Sequence, residues 1–546
     1  MQRGYRLWVA ALWTSLLAFA SGGASAAEND AAFREALIGL TTTNFKAKER
    51  AATTLASIRH PSTRAVLDAV LAGQLYYRRG DQQVFIATNN DSGLTLIDPV
   101  TLQDAGIASA DDFSRIATNN QLRKALKSLI AGFELADPSP HVRLAAVNEM
   151  LRSMDESGAA ALRTQYAKET DDRVRDAIRT GLAIVDLDSE DSQSRLAAVG
   201  ALSESLNADA YNRLTALLTK NSDGSPLEPD ERVRRAAAKA VQSIDSSRSF
   251  YGAIETLFFG LSLGSVLVLA AIGLAITFGV MGVINMAHGE LMMLGAYTTY
   301  VMQLLMPNHI GASVLVAVPI AFLVAGGVGV LIERGVVRFL YGRPLETLLA
   351  TFGVSLILQQ IVRDVFTANN RPVETPAWMA GSLQVNEALS ITYNRLYVVL
   401  FMLIVFTVLL LVLKRTTLGL KVRAVAQNRA MAKAMGVRTE WLDAMTFGLD
   451  SGIAGVAGVA LSQLTNVGPN LGQSYIIDSF MVVVFGGVGN LWGTFISGMS
   501  LGLVNQVLEP YAGAVLAKIL VLVALILFIQ RRPRGLFPQR GRGAES

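Results

Sequence analysis

No cysteine occurs anywhere in the chain, which excludes disulfides, thiol catalysis and cysteine-ligated zinc while leaving the compartment undecided. Nor does any segment match G-x-x-x-x-G-K-[ST], so the sequence offers no recognisable phosphate-cradling loop. No nucleophile–base arrangement and no H-E-x-x-H or comparable ligand cluster stands out in either half, which leaves an enzyme the least favoured class and predicts no bound metal. Charge is sparse as well. Only 17% of residues are charged and the net formal charge is +4; the basic residues of the second half sit in short loops between apolar runs, where they orient membrane segments rather than bind nucleic acid.

What is present divides in two. The 51% hydrophobic content and the mean hydropathy of +0.38 are averages over unlike halves. Up to about residue 250 the chain is studded with Arg, Asp, Glu and Lys, and beyond it long apolar runs are interrupted mainly by glycine, as in a soluble domain followed by a membrane domain. The expected organisation is a signal peptide over 1–26, a helical domain over 27–249, a membrane domain over 250–540 and a short tail over 541–546. The signal is read from Arg3 and Arg6, the apolar run Leu7 to Ala20 and the small residues up to Ala24-Ser25-Ala26, with cleavage expected after Ala26.

Within the first half, the segments Pro140–Val147, Asp172–Ile178, Ser194–Val199 and Glu231–Ala238 resemble one another. Each opens on an acidic or proline-containing turn and continues with an apolar residue and small alanines at helical spacing, a pattern similar to HEAT-type repeats. Lys46 to Leu71 reads as a degenerate copy, and the alternation over Val84 to Ile97 predicts one inserted hairpin. Such an array supplies either a concave binding surface or a solvated spacer.

The second half holds about nine hydrophobic segments, near 253–278, 286–306, 311–335, 346–366, 394–413, 441–464, 476–489, 491–509 and 513–530, some of them short enough to be re-entrant. The fold class expected is all-α: a polytopic bundle preceded by an exported helical repeat domain. Three stretches are basic, Glu333 to Arg343, Lys414 to Arg438, and Arg531-Arg532-Pro533-Arg534. Placing all three in the cytoplasm gives an external start at residue 250, which is also what an N-terminal export signal demands.

The stretch Gly273 to Glu290, reading G-L-A-I-T-F-G-V-M-G-V-I-N-M-A-H-G-E, and Leu294-Gly295-Ala296-Tyr297 resemble the first membrane motif of LivH-type branched-chain amino-acid ABC permeases. Glu333-Arg334, Arg343-Pro344-Leu345, Thr351 to Ser355, Arg423 to Gln427, Gly486 to Gly489 and Arg532 to Phe537 follow in order, so the resemblance covers nearly all of the second half. It implies a permease subunit in a bacterial inner membrane with no cofactor of its own. ATP would be hydrolysed by two partner ATP-binding subunits, beside a second, LivM-like permease and a periplasmic substrate-binding protein. A long exported extension before such a permease is similar to the urea-transporting branch of the family, which implies urea as the solute. Branched-chain amino acids or another small amide are the alternative, and a membrane-tethered sensor would need far fewer spans than this half provides. Asp450 departs from the family pattern, and a charge at that depth should face a partner or water.

Urea is small, planar and neutral, so its route should offer amide, hydroxyl and carbonyl groups. Asn285, His288 and Glu290 in the recognised motif, Thr351, Ser355 and Gln359 in the fourth segment, and the break at Gly486, Gly487 and Gly489 are the expected pathway residues; Asn466, Gln473 and Asp478 flank the outer end. Of the adjacent Gln359 and Gln360, at most one should face the route. An amino-acid substrate would call for an intramembrane cation, and no Arg or Lys in the segments presents itself. In the loop Lys414 to Arg438, the residues Arg423, Ala424, Gln427, Arg429, Lys433, Ala434 and Gly436 are expected to form the ATPase-coupling element, with Val422, Ala426, Met431, Ala434 and Met435 as its apolar side. A basic helix lying on lipid headgroups is the other reading of that loop.

Overall fold

The computed structural model describes residues 29–537 except residue 59, residues 91–92 and residues 152–155. The expected signal peptide and the tail over 541–546 lie outside the described residues. The chain forms two units divided between Ser247 and Arg248.

The first unit is not purely helical, which corrects the all-α expectation. Five antiparallel strands, β1 (Leu75–Arg78), β2 (Val84–Asn90), β3 (Gly93–Ile97), β4 (Asp104–Ala108) and β5 (Phe113–Arg115), form one sheet in the order β4-β3-β2-β1-β5. The alternation over Val84 to Ile97 is its central β2–β3 hairpin. The outer strands are too short to show a period of two, so only tertiary pairing reveals them. Helices Phe45–Ile58, Thr63–Ala72 and Asn120–Glu134 pack against β1 through a core that includes Phe33, Leu55, Leu67, Leu75 and Leu126.

From Pro140 onward the unit is a helical array sharing one core from Ala131 to Ile244, and one hydrogen-bond pattern recurs in it. Arg143 Nη1 donates to the carbonyls of Asp137 and Pro138, Arg195 Nη1 to those of Ser189 and Glu190, and Arg234 Nη1 to those of Glu228 and Pro229, each tying a helix's first turn to the residues that precede it. Arg175 does the same to the carbonyl of Glu169. Arg143 and Arg195 also form bidentate pairs with Glu169 and Glu228, at 2.7–2.9 Å. These four arginines open the four similar segments seen in the sequence.

The Arg143 guanidinium, opposed by desolvation, holds the Glu169 carboxyl at about 2 against an ordinary 4.5. A depressed acid stabilises the fold above its unfolded value and ceases to do so as pH falls through its folded one. We therefore expect the first unit to lose up to about 3 kcal/mol between pH 4.5 and 2. Circular dichroism melts of the full chain should show this acid loss blunted in Glu169→Gln, which cannot ionise.

In the second unit the helices are α1 (Glu231–Met281, whose start belongs to the first unit's core), α2 (His288–Leu305), α3 (Ile310–Gly335), α4 (Pro344–Phe366), α5 (Tyr393–Arg415), the short α6 (Thr417–Gln427) and α7 (Arg429–Ala434), α8 (Thr439–Ser462), α9 (Leu471–Gly486) and α10 (Leu491–Arg531). A small hairpin, β6 (Ser382–Asn386) and β7 (Leu389–Thr392), joins α4 to α5. Among the described residues six helices, α1, α3, α4, α5, α8 and α10, are long and apolar enough to cross a membrane. That is fewer than nine complete spans. The segment at 286–306 becomes the 18-residue α2, made polar by its first turn, and that at 476–489 becomes the 16-residue α9. The segments at 491–509 and 513–530 are one helical run broken at Gly513.

Glycine permits the central crossings. Gly295 of α2 faces the Gly455 backbone of α8, Gly458 faces the Met292 carbonyl, and Gly326 of α3 faces the Gly448 carbonyl, so any side chain at these positions would strike main chain. Gly327 has open space around it and takes no part.

Candidate functional site

Between α1 and α2 the backbone is non-helical from Gly282 to Ala287, and Gly282 supplies the left-handed turn at φ 67°. This break starts beside the Gly489 turn, whose backbone Gly279 meets, and runs inward to the level of Ala270. Thr351, which meets it, stands roughly 10 Å along α4 from Pro344, and Ala270, beside its end, roughly 16 Å back along α1 from Met281, at 1.5 Å per residue. Irregular backbone at such depth is tolerated only where protein or a polar route satisfies its groups. The satisfaction is specific: Asn285 Oδ1 accepts from Ala287 N at 3.0 Å, and Thr351 Oγ1 accepts from Met286 N at 3.1 Å.

Glu290 follows in the first turn of α2, 1% exposed. Its Oε1 accepts from Ser355 Oγ at 3.0 Å and from Gln359 Nε2 at 2.7 Å, both on α4 one turn apart. Glu290 Oε2 and Asn285 Nδ2 are buried with no protein partner. The structure thus brings Asn285, Glu290, Thr351, Ser355 and Gln359 together, while Gln360 points away and bonds Asp364. The adjacent glutamines face differently because consecutive helical residues are about 100° apart.

His288 leads elsewhere. Its Nε2 lies 2.6 Å from the Ala270 carbonyl and its Nδ1 lies 3.0 Å from Asp450 Oδ1, with both side chains fully buried. Thr277 Oγ1 donates to Asp450 Oδ2 at 3.1 Å. A carbonyl only accepts, so Nε2 is the donor there, while Nδ1 faces Asp450 Oδ1 at ion-pair distance without a hydrogen bond. The pair joins α1, α2 and α8. Asp450, anomalous in the sequence, has this histidine as its partner.

Gly486, Gly487 and Gly489 lie at the bundle end, in the turn joining α9 to α10. Gly487 and Gly489 adopt positive φ, 99° and 80°, and the C-terminal stretch folds back on them: Leu536 N donates to the Phe485 carbonyl and Phe537 N to that of Gly486. The close approach of two backbones is the physical reason for glycine there. At the same end, Lys414, Arg423, Gly489 and Trp492 line a cavity of about 280 Å³, and Arg338 meets Glu440 at 3.4 Å.

In the loop 414–438, Arg429 binds Asp443 through both guanidinium branches and Tyr341 OH at 2.5 Å, with its charge 4.0 Å from the Tyr341 ring centre. Arg423 donates to the Leu413 carbonyl. Gly436 ends α7 at φ 85°, and Ala424, Gln427, Lys433 and Ala434 are exposed. Val422 is buried with Val425 instead of facing outward, and the exposed apolar side is Leu420, Met431 and Met435. Helical periodicity alone could not tell which of the two sides α8 would cover.

At the opposite bundle end, Asn466 and Asp478 line a cavity with Asn505, Glu509 and Lys518, and Lys518 Nζ bonds Asp478 Oδ2 at 3.0 Å; Gln473 is not among its lining residues. Lys518 and Asn505 escaped the sequence reading, although a lysine inside the last apolar segment was the available signal. No group of three metal-ligating side chains occurs among the described residues.

Residues 256–529 match the family described as "Branched-chain amino acid transport system / permease component". The chain is 31% identical over 301 residues to the high-affinity branched-chain amino acid transport system permease protein LivH of Salmonella typhimurium, an alignment covering 53% of this chain and 97% of that protein. It is 28% identical over 296 residues to the corresponding permease protein BraD of Pseudomonas aeruginosa, covering 52% and 96%. A ribose import permease protein, RbsC, of Escherichia coli is 26% identical over 292 residues, covering 50% and 85%. These relatives are transport permeases. This chain therefore belongs to the branched-chain amino acid transport permease family, and is a multi-pass ABC-type permease of the membrane.

Proposed function

We propose that the second unit forms the membrane route of an ATP-driven importer for urea. The supporting observation is the break at Gly282 to Ala287, where the groups gathered from α2 and α4 are amide, hydroxyl and one carboxylate, with Glu290 Oε2 and Asn285 Nδ2 left unpartnered. A planar solute with two NH2 groups and a carbonyl could meet both, its N–H donating to Oε2 and its oxygen accepting from Nδ2. The long additional unit before the permease favours the urea branch, as the sequence resemblance implies.

The remaining assembly follows the family. Two ATP-binding subunits would dock on the face where the basic stretches meet, with Leu420, Met431 and Met435 as contacts and Arg423 and Lys433 beside them; ATP is hydrolysed there and not by this chain. A second, LivM-like permease would complete the route and a periplasmic binding protein would deliver solute. Convergence of Arg338, Arg429 and the Gly535 turn at one bundle end supports a cytoplasmic placement of all three basic stretches. The first unit, in this reading a periplasmic HEAT-like domain, would face that binding protein. Branched-chain amino acids form the second reading, favoured by Lys518, a cation within the apolar segment 513–530 that lines the cavity with Asp478 and Asn505.

Uptake of radiolabelled urea and leucine in cells with and without the gene decides between them. Loss of urea uptake is expected. Loss of leucine uptake alone would overturn the substrate assignment. Removal of residues 27–249 with the leader retained should lower uptake, and unchanged uptake would make the first unit a spacer.

A further inference from the structure

The cavity at the bundle end away from the basic stretches has a volume of about 480 Å³ and draws its walls from α1, α9 and α10. Its orientation follows from the helices: α9 ends at Gly486 beside the C-terminal turn, so its first turns, with Ser474 and Asp478, lie at the other end. α10 starts beside that same turn and reaches the cavity at Asn505.

Three features distinguish this cavity from a crevice. Asn505 is 8% exposed and its Oδ1 has no partner; a buried acceptor left empty costs about 1–3 kcal/mol. Asp478, also 8% exposed on its side chain, is held by Lys518, whose own side chain is half exposed and retains donors. Finally, Gly513, at φ 76° and ψ 158°, breaks α10 between Asn505 and Lys518, the arrangement by which interrupted helices flank solute sites.

We propose that this cavity is an outward-facing binding site for a small solute that offers an oxygen acceptor to Lys518 and N–H donors to Asn505 Oδ1 and Asp478. Urea, with its carbonyl and two NH2 groups, and an amino acid, with its carboxylate and ammonium, share that chemistry. The inference rests on the import reading above, and its test separates the two solutes.

Because the chain has no cysteine, a single Ser474→Cys substitution on the cavity wall gives this chain one reactive thiol, whose labelling is followed on the chain's own band from the assembled transporter. In intact cells, a membrane-impermeant thiol reagent should label it from outside, and either urea or leucine in excess should slow labelling at least threefold. Gln473→Cys, next to the wall but not in it, should label at a rate neither solute changes. Adding Asn505→Leu to Ser474→Cys should abolish the protection while labelling continues. Protection by urea sustains both the site and the urea reading. Protection by leucine alone sustains the site and overturns urea. Protection by neither, access only from the cytoplasmic side, or protection that survives Asn505→Leu overturns the site.

Discussion

Asp450→Ala should lower the thermal midpoint of the second unit in the purified chain by about 5–8 °C, the shift expected for a loss of roughly 3–5 kcal/mol when one partner of a buried ionic pair is removed. His288 would remain fully buried, with the carboxylate that faces its Nδ1 removed. Thr277 would lose its acceptor at the same time. The companion variant His288→Leu strands Asp450 and should cost a similar amount. Together the two changes should cost far less than their sum, because neither then leaves a charge unpaired. Strictly additive midpoints would show that the pair does not act as a unit. Asp450→Asn, which keeps an oxygen for Thr277 but carries no charge toward His288, should fall between wild type and Asp450→Ala.

The second large effect is expected at the other end of the bundle, and in transport instead of stability. Met431 and Met435 are 60% and 78% exposed; replacing both with glutamate changes nothing that the chain itself packs. Burying those carboxylates against a partner would cost several kcal/mol, so ATP-driven uptake should fall at least thirtyfold while the amount of chain in the membrane is unchanged. Arg429→Ala should behave in the opposite way, because it leaves the 3%-exposed Asp443 without its guanidinium; the amount of chain should drop with uptake. If the double glutamate variant transports normally, the coupling surface lies elsewhere.

The contrast between Met431 and Met435 on one side and Arg429 on the other, all in one loop, marks what the linear order leaves open. Arg423, Arg429 and Lys433 are alike as letters, and helical spacing puts them beside apolar residues in the same way. Only the fold commits Arg429 to Asp443 and Tyr341 and leaves Lys433 free of an intramolecular role. The glycines divide similarly. The run Gly452 to Gly458 packs against α2 and α3, because only glycine lets helix backbones approach so closely, whereas Gly486 to Gly489 form the turn between α9 and α10 on which the C-terminal stretch folds back. Another break, at Gly282 to Ala287, lies inside the motif already singled out for its polar residues.

By itself the sequence determined the division into a polar and an apolar half, the absence of a nucleotide-binding loop, the family motif and the four similar segments of the first half, since each is a matter of composition, period or local spacing. Tertiary structure decided the rest: the outer strands of the sheet, the pairing of His288 with Asp450 across 162 positions, the meeting of Glu290 with Ser355 and Gln359, and the cavity holding Asn505 and Lys518. Those depend on which distant surfaces come into contact, and a buried polar group acquires its role from a partner that the linear order does not name.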